Sequence, residues 1–159
     1  MPLINQDLGG GYRLIVQLHS HELNTTAAYC LPSNVRQNKE PSHYNIKLYE
    51  NGDEVFNLHG GAYRDGGNIC LFMFETATEI PYCYKNCYDS DPDMGEISTF
   101  VENAIENLEE AARDFEANNT GAAAVAAGAV VAAIAYVGPS TIATALAAAW
   151  AVPFVPPPP

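Results

Sequence analysis

The run His19-Ser20-His21-Glu22 sets two imidazoles at alternate positions of a strand-like segment, so both would share one face. There they could supply two ligands to a metal or part of a catalytic site. Spacing names no third ligand, although His43 and His59 could approach in a meander, and ordinary surface or edge histidines fit the same pattern. Asp89-x-Asp91-x-Asp93 places carboxylates at alternate positions, as the opening of a calcium loop does. The match then fails, because Met94 stands where such a loop needs glycine and Phe100 where it needs a bidentate glutamate. A solvated acidic cluster favourable to a helix dipole accounts for the three aspartates without a metal. Cys30, Cys70, Cys83 and Cys87 allow three full disulfide connectivities, and the tight Cys83-x-x-x-Cys87 pair lies in the tyrosine-rich PYCYKNCY. That spacing is poor for zinc, and either disulfides or buried thiols suit it. No GxSxG, HExxH or phosphate-binding loop occurs, so the sequence spells out no reaction and implies no cofactor.

Charge narrows the partners. Nineteen acids against seven bases give a net charge of -12, which repels phosphate backbones, so nucleic acid is not an expected partner. The start, MPLINQDLGGGYR, lacks a basic region followed by an apolar run, and a Sec-type signal peptide is not visible. The expected localisation is a soluble form, released by another route and then inserted in a target membrane. The interval from Asp89 to Glu116 holds ten acids and the single base Arg113, nine of the twelve net negative charges.

The elements that would position these groups divide into unlike parts. Residues 1–88 read as a strand-rich domain. Tyr12 to Leu18 is β-branched and aromatic, entered through the flexible Gly9-Gly10-Gly11 run. Thr26 to Leu31 reads as a weaker second strand, and the polar 33–42 segment as a surface loop. Tyr44, Ile46 and Leu48 alternate with polar partners, turn at Asn51-Gly52, and return through Glu54 to Leu58. Asn-Gly is the strongest short hairpin signal, because a type I′ turn needs positive φ at both central residues. HGGAYRDGG reads as a second glycine-rich connection, GGGYR and GGAYR being two glycine turns that each feed a strand. It leads into NICLFMF, an apolar run of the length of a central, doubly covered strand. Thr76 to Tyr84 would add one more, for a meander of about four to six strands.

From Gly95 the period changes. Ile97, Phe100, Val101, Ala104, Ile105, Leu108, Ala111, Ala112 and Phe115 recur three or four apart, the stripe of an amphipathic helix within residues 89–119. Its other face carries Glu102, Glu106, Glu109 and Glu110, whose protonation in acid would remove repulsion from anionic lipid, a candidate pH sensor. A solvated helix face without a switching role has the same composition.

No charged residue follows Glu116. Residues 120–152 read as two alanine-rich helices broken at Pro139, and 153–159 as a proline-rich tail of polyproline II form. Each helix is short for a bilayer core of about 30 Å, so a hairpin or one kinked span is expected. Alanine is near neutral on insertion scales, and Gly121, Ala124, Gly128 and Ala132 give the small-residue spacing that lets helices approach in lipid. The candidate membrane-insertion residues are Val125, Gly128, Val130, Val131, Ile134, Tyr136, Pro139, Ile142, Leu146 and Trp150.

Over residues 95 to 152 this order resembles the hydrophobic hairpin of α-helical pore-forming toxins such as pore-forming colicins, while the strand-rich half departs from it. The expected fold class is α+β: a small antiparallel β meander or sandwich, then an amphipathic helix and an Ala-rich hydrophobic helical hairpin. The expected function is that of a membrane-active, pore-forming or permeabilising, toxin-like protein whose partners are a lipid membrane and further copies of itself. The rivals are a structural subunit of a shell, fibre or virion that uses the hairpin as a protein contact, and a small metal-binding enzyme using His19, His21 and the cysteines.

Overall fold

Alternation of apolar side chains along successive short strands demands a sheet with at least one covered face, and the chain builds one. The computed structural model describes residues 2–20, 26–36, 42–78, 80–121, 128, 135, 137–140 and 142–144. Six antiparallel strands run in sequence order: β1 Pro2–Gly9, β2 Tyr12–Ser20, β3 Ser42–Glu50, β4 Asp53–Asp65, β5 Asn68–Glu75 and β6 Cys83–Tyr88. Between β2 and β3 lie a 3₁₀ turn, Thr26–Ala28, and one helical turn, α1 Ser33–Arg36; α2 spans Met94–Asn118. The fold is thus mixed α+β, with one long helix among the described residues.

Leu14, Val16, Tyr44, Ile46, Leu48, Phe56, Leu58, Ala62, Ile69, Leu71 and Met73 form one face of the sheet and share a core with Ile97, Phe100, Val101, Ala104, Ile105, Leu108 and Ala112 of α2. The opposite face buries Tyr63, Cys70, Phe72 and Phe74 under Ala28, Leu31 and Val35. β5 is therefore covered on both sides, as its unbroken apolar run predicts. Helix α2 starts where Asp93 accepts from Glu96 N at 2.8 Å while Glu96 Oε1 accepts from Asp93 N at 3.2 Å, a reciprocal capping box.

The structure corrects several expectations. The chain before Gly9 is strand β1, and Gly9 to Gly11, all at positive φ, form the turn that returns it antiparallel onto β2. Thr26 to Leu31 is turn and 3₁₀, not strand, and the polar stretch after it begins with α1. Gly60 and Gly61 lie inside the thirteen-residue β4, so GGAYR is strand rather than turn; the reversal waits for Gly66. Gly60 is required there by its cross-strand partner, because a Cβ would run into the Tyr44 ring. The last strand is Cys83–Tyr88 instead of the stretch from Thr76. Asn51 and Gly52 do take positive φ, 51° and 88°.

Candidate functional site

On the sheet face away from α2, strand alternation sets His43 and Asn45 of β3 beside Asn57 and His59 of β4, all buried. A single chain of hydrogen bonds links most of them. Asn45 Nδ2 donates to Asn57 Oδ1 at 2.8 Å and lies 2.8 Å from His59 Nδ1. His59 Nε2 lies 2.7 Å from Thr76 Oγ1, and its ring stacks on Phe74 at 4.8 Å. Asn45 Nδ2 also lies 3.3 Å from His59 Nε2, so the amide sits against both ring nitrogens, and the Thr76 hydroxyl donates to or accepts from Nε2 according to the imidazole tautomer. The His43 ring is 5.8 Å from His59, and the His43 backbone pairs with that of His19 across β2 and β3.

Glu75, 1% exposed at the end of β5, organises the next loop. Its carboxylate accepts from Asn57 N at 3.1 Å, Ala77 N at 2.7 Å, Thr78 N at 3.0 Å and Thr78 Oγ1 at 2.5 Å. Burial pushes its carboxyl above the usual carboxylate range, while these hydrogen bonds pull it back. With both oxygens occupied, Glu75 shapes the loop rather than offering a base. Tyr82 donates to Ala104 O of α2 at 2.5 Å and pins the far end of that loop.

Between this loop and the 3₁₀ turn opens a cleft of about 350 Å³ lined by Thr26, Ala27, Tyr29, Glu75, Thr76, Thr78, Ile80, Pro81 and Tyr82. The hydrogen-bond chain ends on its wall at Thr76. The disulfide Cys30–Cys83 clamps the turn carrying Tyr29 to β6, and Cys70–Cys87 ties β6 to β5. A larger hollow of about 500 Å³ lies by the glycine turn at Gly9 to Gly11. Its polar groups satisfy one another, Arg13 Nη1 donating to Asn5 Oδ1 at 2.8 Å and Tyr12 to Glu50, and no buried network stands behind it. The smaller cleft is the better candidate.

The predicted site residues scatter. All four cysteines are in disulfides, so none is a thiolate ligand, and Cys83 and Cys87 pair elsewhere rather than with each other. That removes the cysteines from the metal-enzyme reading. Among the described residues no three His, Cys, Asp or Glu side chains gather as a metal site. Asp89, Asp91 and Asp93 are exposed, and Asp93 caps α2. Glu102, Glu106 and Glu110 are exposed and Glu109 half-buried on α2, whose apolar side is engaged with the sheet. His21, Val125, Val130, Val131, Ile134, Tyr136, Leu146 and Trp150 lie outside the described residues. Of the rest of the insertion set, Gly128 and Pro139 are exposed, whereas Ile142 is fully buried and, with Val137 and Ala143, joins the core shared by sheet and helix. Among the described residues no helix is long and apolar enough to cross a membrane.

Sequence reasoning missed the polar network. Its signal was present as polar residues alternating along both arms of the Asn51-Gly52 hairpin, but such a row reads as solvent-facing. A register shift between Leu48 and Tyr49 then slides the arms so that Asn45 meets His59. Compared with known proteins, the chain matches no family model, no curated protein and no solved structure.

Proposed function

We propose that this is a membrane-active protein in which a disulfide-braced β body recognises a target surface and holds the uncharged C-terminal segment until that segment enters a bilayer. The observation that carries this reading is the docking of Val137, Ile142 and Ala143 in the core of sheet and α2, while Gly128, Ala135, Pro139 and Thr144 of the same segment stay exposed. Two anchoring side chains of this size contribute roughly 3–6 kcal/mol when buried, a barrier that membrane contact can offset. Leaving the dock keeps the sheet and α2 intact, because the apolar stripe of α2 is held by the strands and not by the segment alone. The two disulfides suit an oxidising, extracytoplasmic setting. The two short helices expected of residues 120–152 would be too few to enclose a water-filled path, so the inserted form on this reading is a homo-oligomer.

Dye release from liposomes between about pH 7 and about pH 4.5 tests the reading and the acid dependence assigned to Glu102, Glu106, Glu109 and Glu110. Release by the full chain, absent in a chain ending at Asn119 and strongly reduced by Val131→Lys, supports insertion, since a lysine at a helix centre costs about 2.5–3.5 kcal/mol. No release at any pH or lipid composition transfers the segment to a contact between copies, as in a shell or fibre subunit.

A further inference from the structure

We propose that the cleft between the 3₁₀ turn and the 75–82 loop binds a neutral sugar, with the Tyr29 ring as stacking platform and the Thr76 hydroxyl as a positioned hydrogen-bonding group. This deepens the recognition half of the membrane reading and rests on it for the role of the bound glycan.

Three observations converge. First, Tyr29 is 56% exposed, with Met94 one of two large apolar side chains so exposed among the described residues, and it stands on the cleft wall. An aromatic ring with a polar tip suits a partner that has an apolar face and a hydroxyl rim, as a pyranose does. Second, Thr76 is held by His59, itself held by buried Asn45, so its hydroxyl oxygen is fixed on the cleft wall. Thr26 adds a hydroxyl to the same wall, while that of Thr78 is taken up by Glu75 and Ile80 N. Third, the charge at the cleft fits a neutral ligand. Among the described residues no Lys or Arg lines it to attract an anion, and Glu75, the carboxyl described there, already accepts four hydrogen bonds. The volume of about 350 Å³ is at the small end of ligand pockets, about 300–1,000 Å³, the scale of one or two sugar rings. An extended peptide would seek an open strand edge instead, and this wall is loop.

The test is a titration of the full, disulfide-intact chain with glucose, galactose, mannose and N-acetylglucosamine, followed by backbone amide NMR, with sialic acid as the anionic comparison. At least one neutral sugar is expected to give saturable shifts confined to residues 26–30 and 75–82. Tyr29→Ala and Thr76→Val should each weaken that binding about tenfold, one lost contact of ordinary strength. Tyr29→Trp, a larger platform, should strengthen it, which a merely structural tyrosine would not do. Tyr29 is exposed, so its variants keep the fold; Thr76→Val removes a partner of His59, and spectra unchanged elsewhere verify the fold of each variant. No saturable shift with any neutral sugar, binding indifferent to Tyr29, or preference for sialic acid overturns the proposal. Dye release is read separately, with and without the sugar present: release without sugar binding retires the ligand class alone, and sugar binding with no release in either condition retires the membrane reading alone.

Discussion

Gly60→Ala separates local preference from tertiary geometry. Glycine inside a strand is less favourable than alanine by about 0.5–1 kcal/mol, so propensity alone expects this substitution to stabilise. The structure expects the reverse. A Cβ on Gly60 would meet the Tyr44 hydroxyl, with Cζ at 2.5 Å and Cε1 at 2.8 Å. Carbon pairs rest at about 3.5–4.0 Å, so the ring would have to retreat by about 1 Å. Tyr44 is 0% exposed, and retreat means displacing core. Overpacking of this kind costs about 1–3 kcal/mol; taking the upper end and crediting alanine's preference leaves a net loss near 2 kcal/mol. For a chain of this size that is a fall in Tm of about 4–8 °C, measured by circular dichroism on the oxidised protein. Tyr44→Phe removes a buried hydroxyl that has no hydrogen-bond partner among the described residues, and should be neutral or stabilising. Combined with Gly60→Ala it should restore only part of the loss, because Cζ still stands in the way. A Gly60→Ala protein with a raised Tm would show that the Tyr44 ring does not cover that glycine.

Three further outcomes follow from specific groups. Removing Cys30–Cys83 by paired alanine substitutions should cost about 4 kcal/mol and removing Cys70–Cys87 about 3 kcal/mol, from loop-closure entropy over separations of 53 and 17 residues, with urea unfolding as the readout. The reverse order would mean that entropy is not what these bridges contribute. Asp93→Ala should lose about 1 kcal/mol with the capping box, whereas Asp89→Ala and Asp91→Ala should stay within about 0.5 kcal/mol and added calcium should leave Tm unchanged; a calcium-dependent rise lost in all three would restore the metal reading. Glu75 is held above the usual carboxylate range, so the folded state binds its proton more tightly than the unfolded chain does. Its contribution to stability is fully present below the ordinary carboxylate value and lost as pH rises through the raised folded value. On acidification from neutral pH through that window, the wild type should therefore gain stability relative to Glu75→Gln; a relative loss would mean that its four hydrogen bonds outweigh burial.

What the sequence disclosed and what it hid divide along local and non-local information. The Asn51-Gly52 turn, the doubly buried 69–74 run and the 3.6-residue stripe of α2 are each encoded within a few neighbouring residues, and each is present. Strand β1 was hidden because PLINQDLG alternates weakly, and β4 because Gly60 and Gly61 punctuate like a turn when read without Tyr44 across from them. The polar network was hidden twice. Its residues look solvent-facing in one dimension, and the register shift that aligns Asn45 with His59 exists only once the strands pair. The disulfide partners, 53 and 17 residues apart, likewise depend on where β6 falls.

The cleft takes Ile80 and Tyr82 from the core that holds the docked segment and Ala27 from the cluster on the opposite face of the sheet, and β5 runs between the two. Phe74 stacks under His59 on the cleft side, while Met73, its neighbour in the chain, faces the core that holds Ile142. The loop leaving β5 carries Glu75 and Thr76 into the cleft and then, through Tyr82, hydrogen-bonds a carbonyl of α2. A ligand that pulls on this loop therefore acts on the helix against which the C-terminal segment is docked, without any change at the acidic face. Coupling of this kind requires that ligand binding differ between docked and released states. Tyr82→Phe is the discriminating change: it keeps the ring in the core and cuts the single hydrogen bond to Ala104. If the loop transmits recognition to release, this variant, assayed at saturating ligand because Tyr82 also lines the cleft, should show release independent of it, whereas a ligand effect that survives in Tyr82→Phe would place the connection elsewhere.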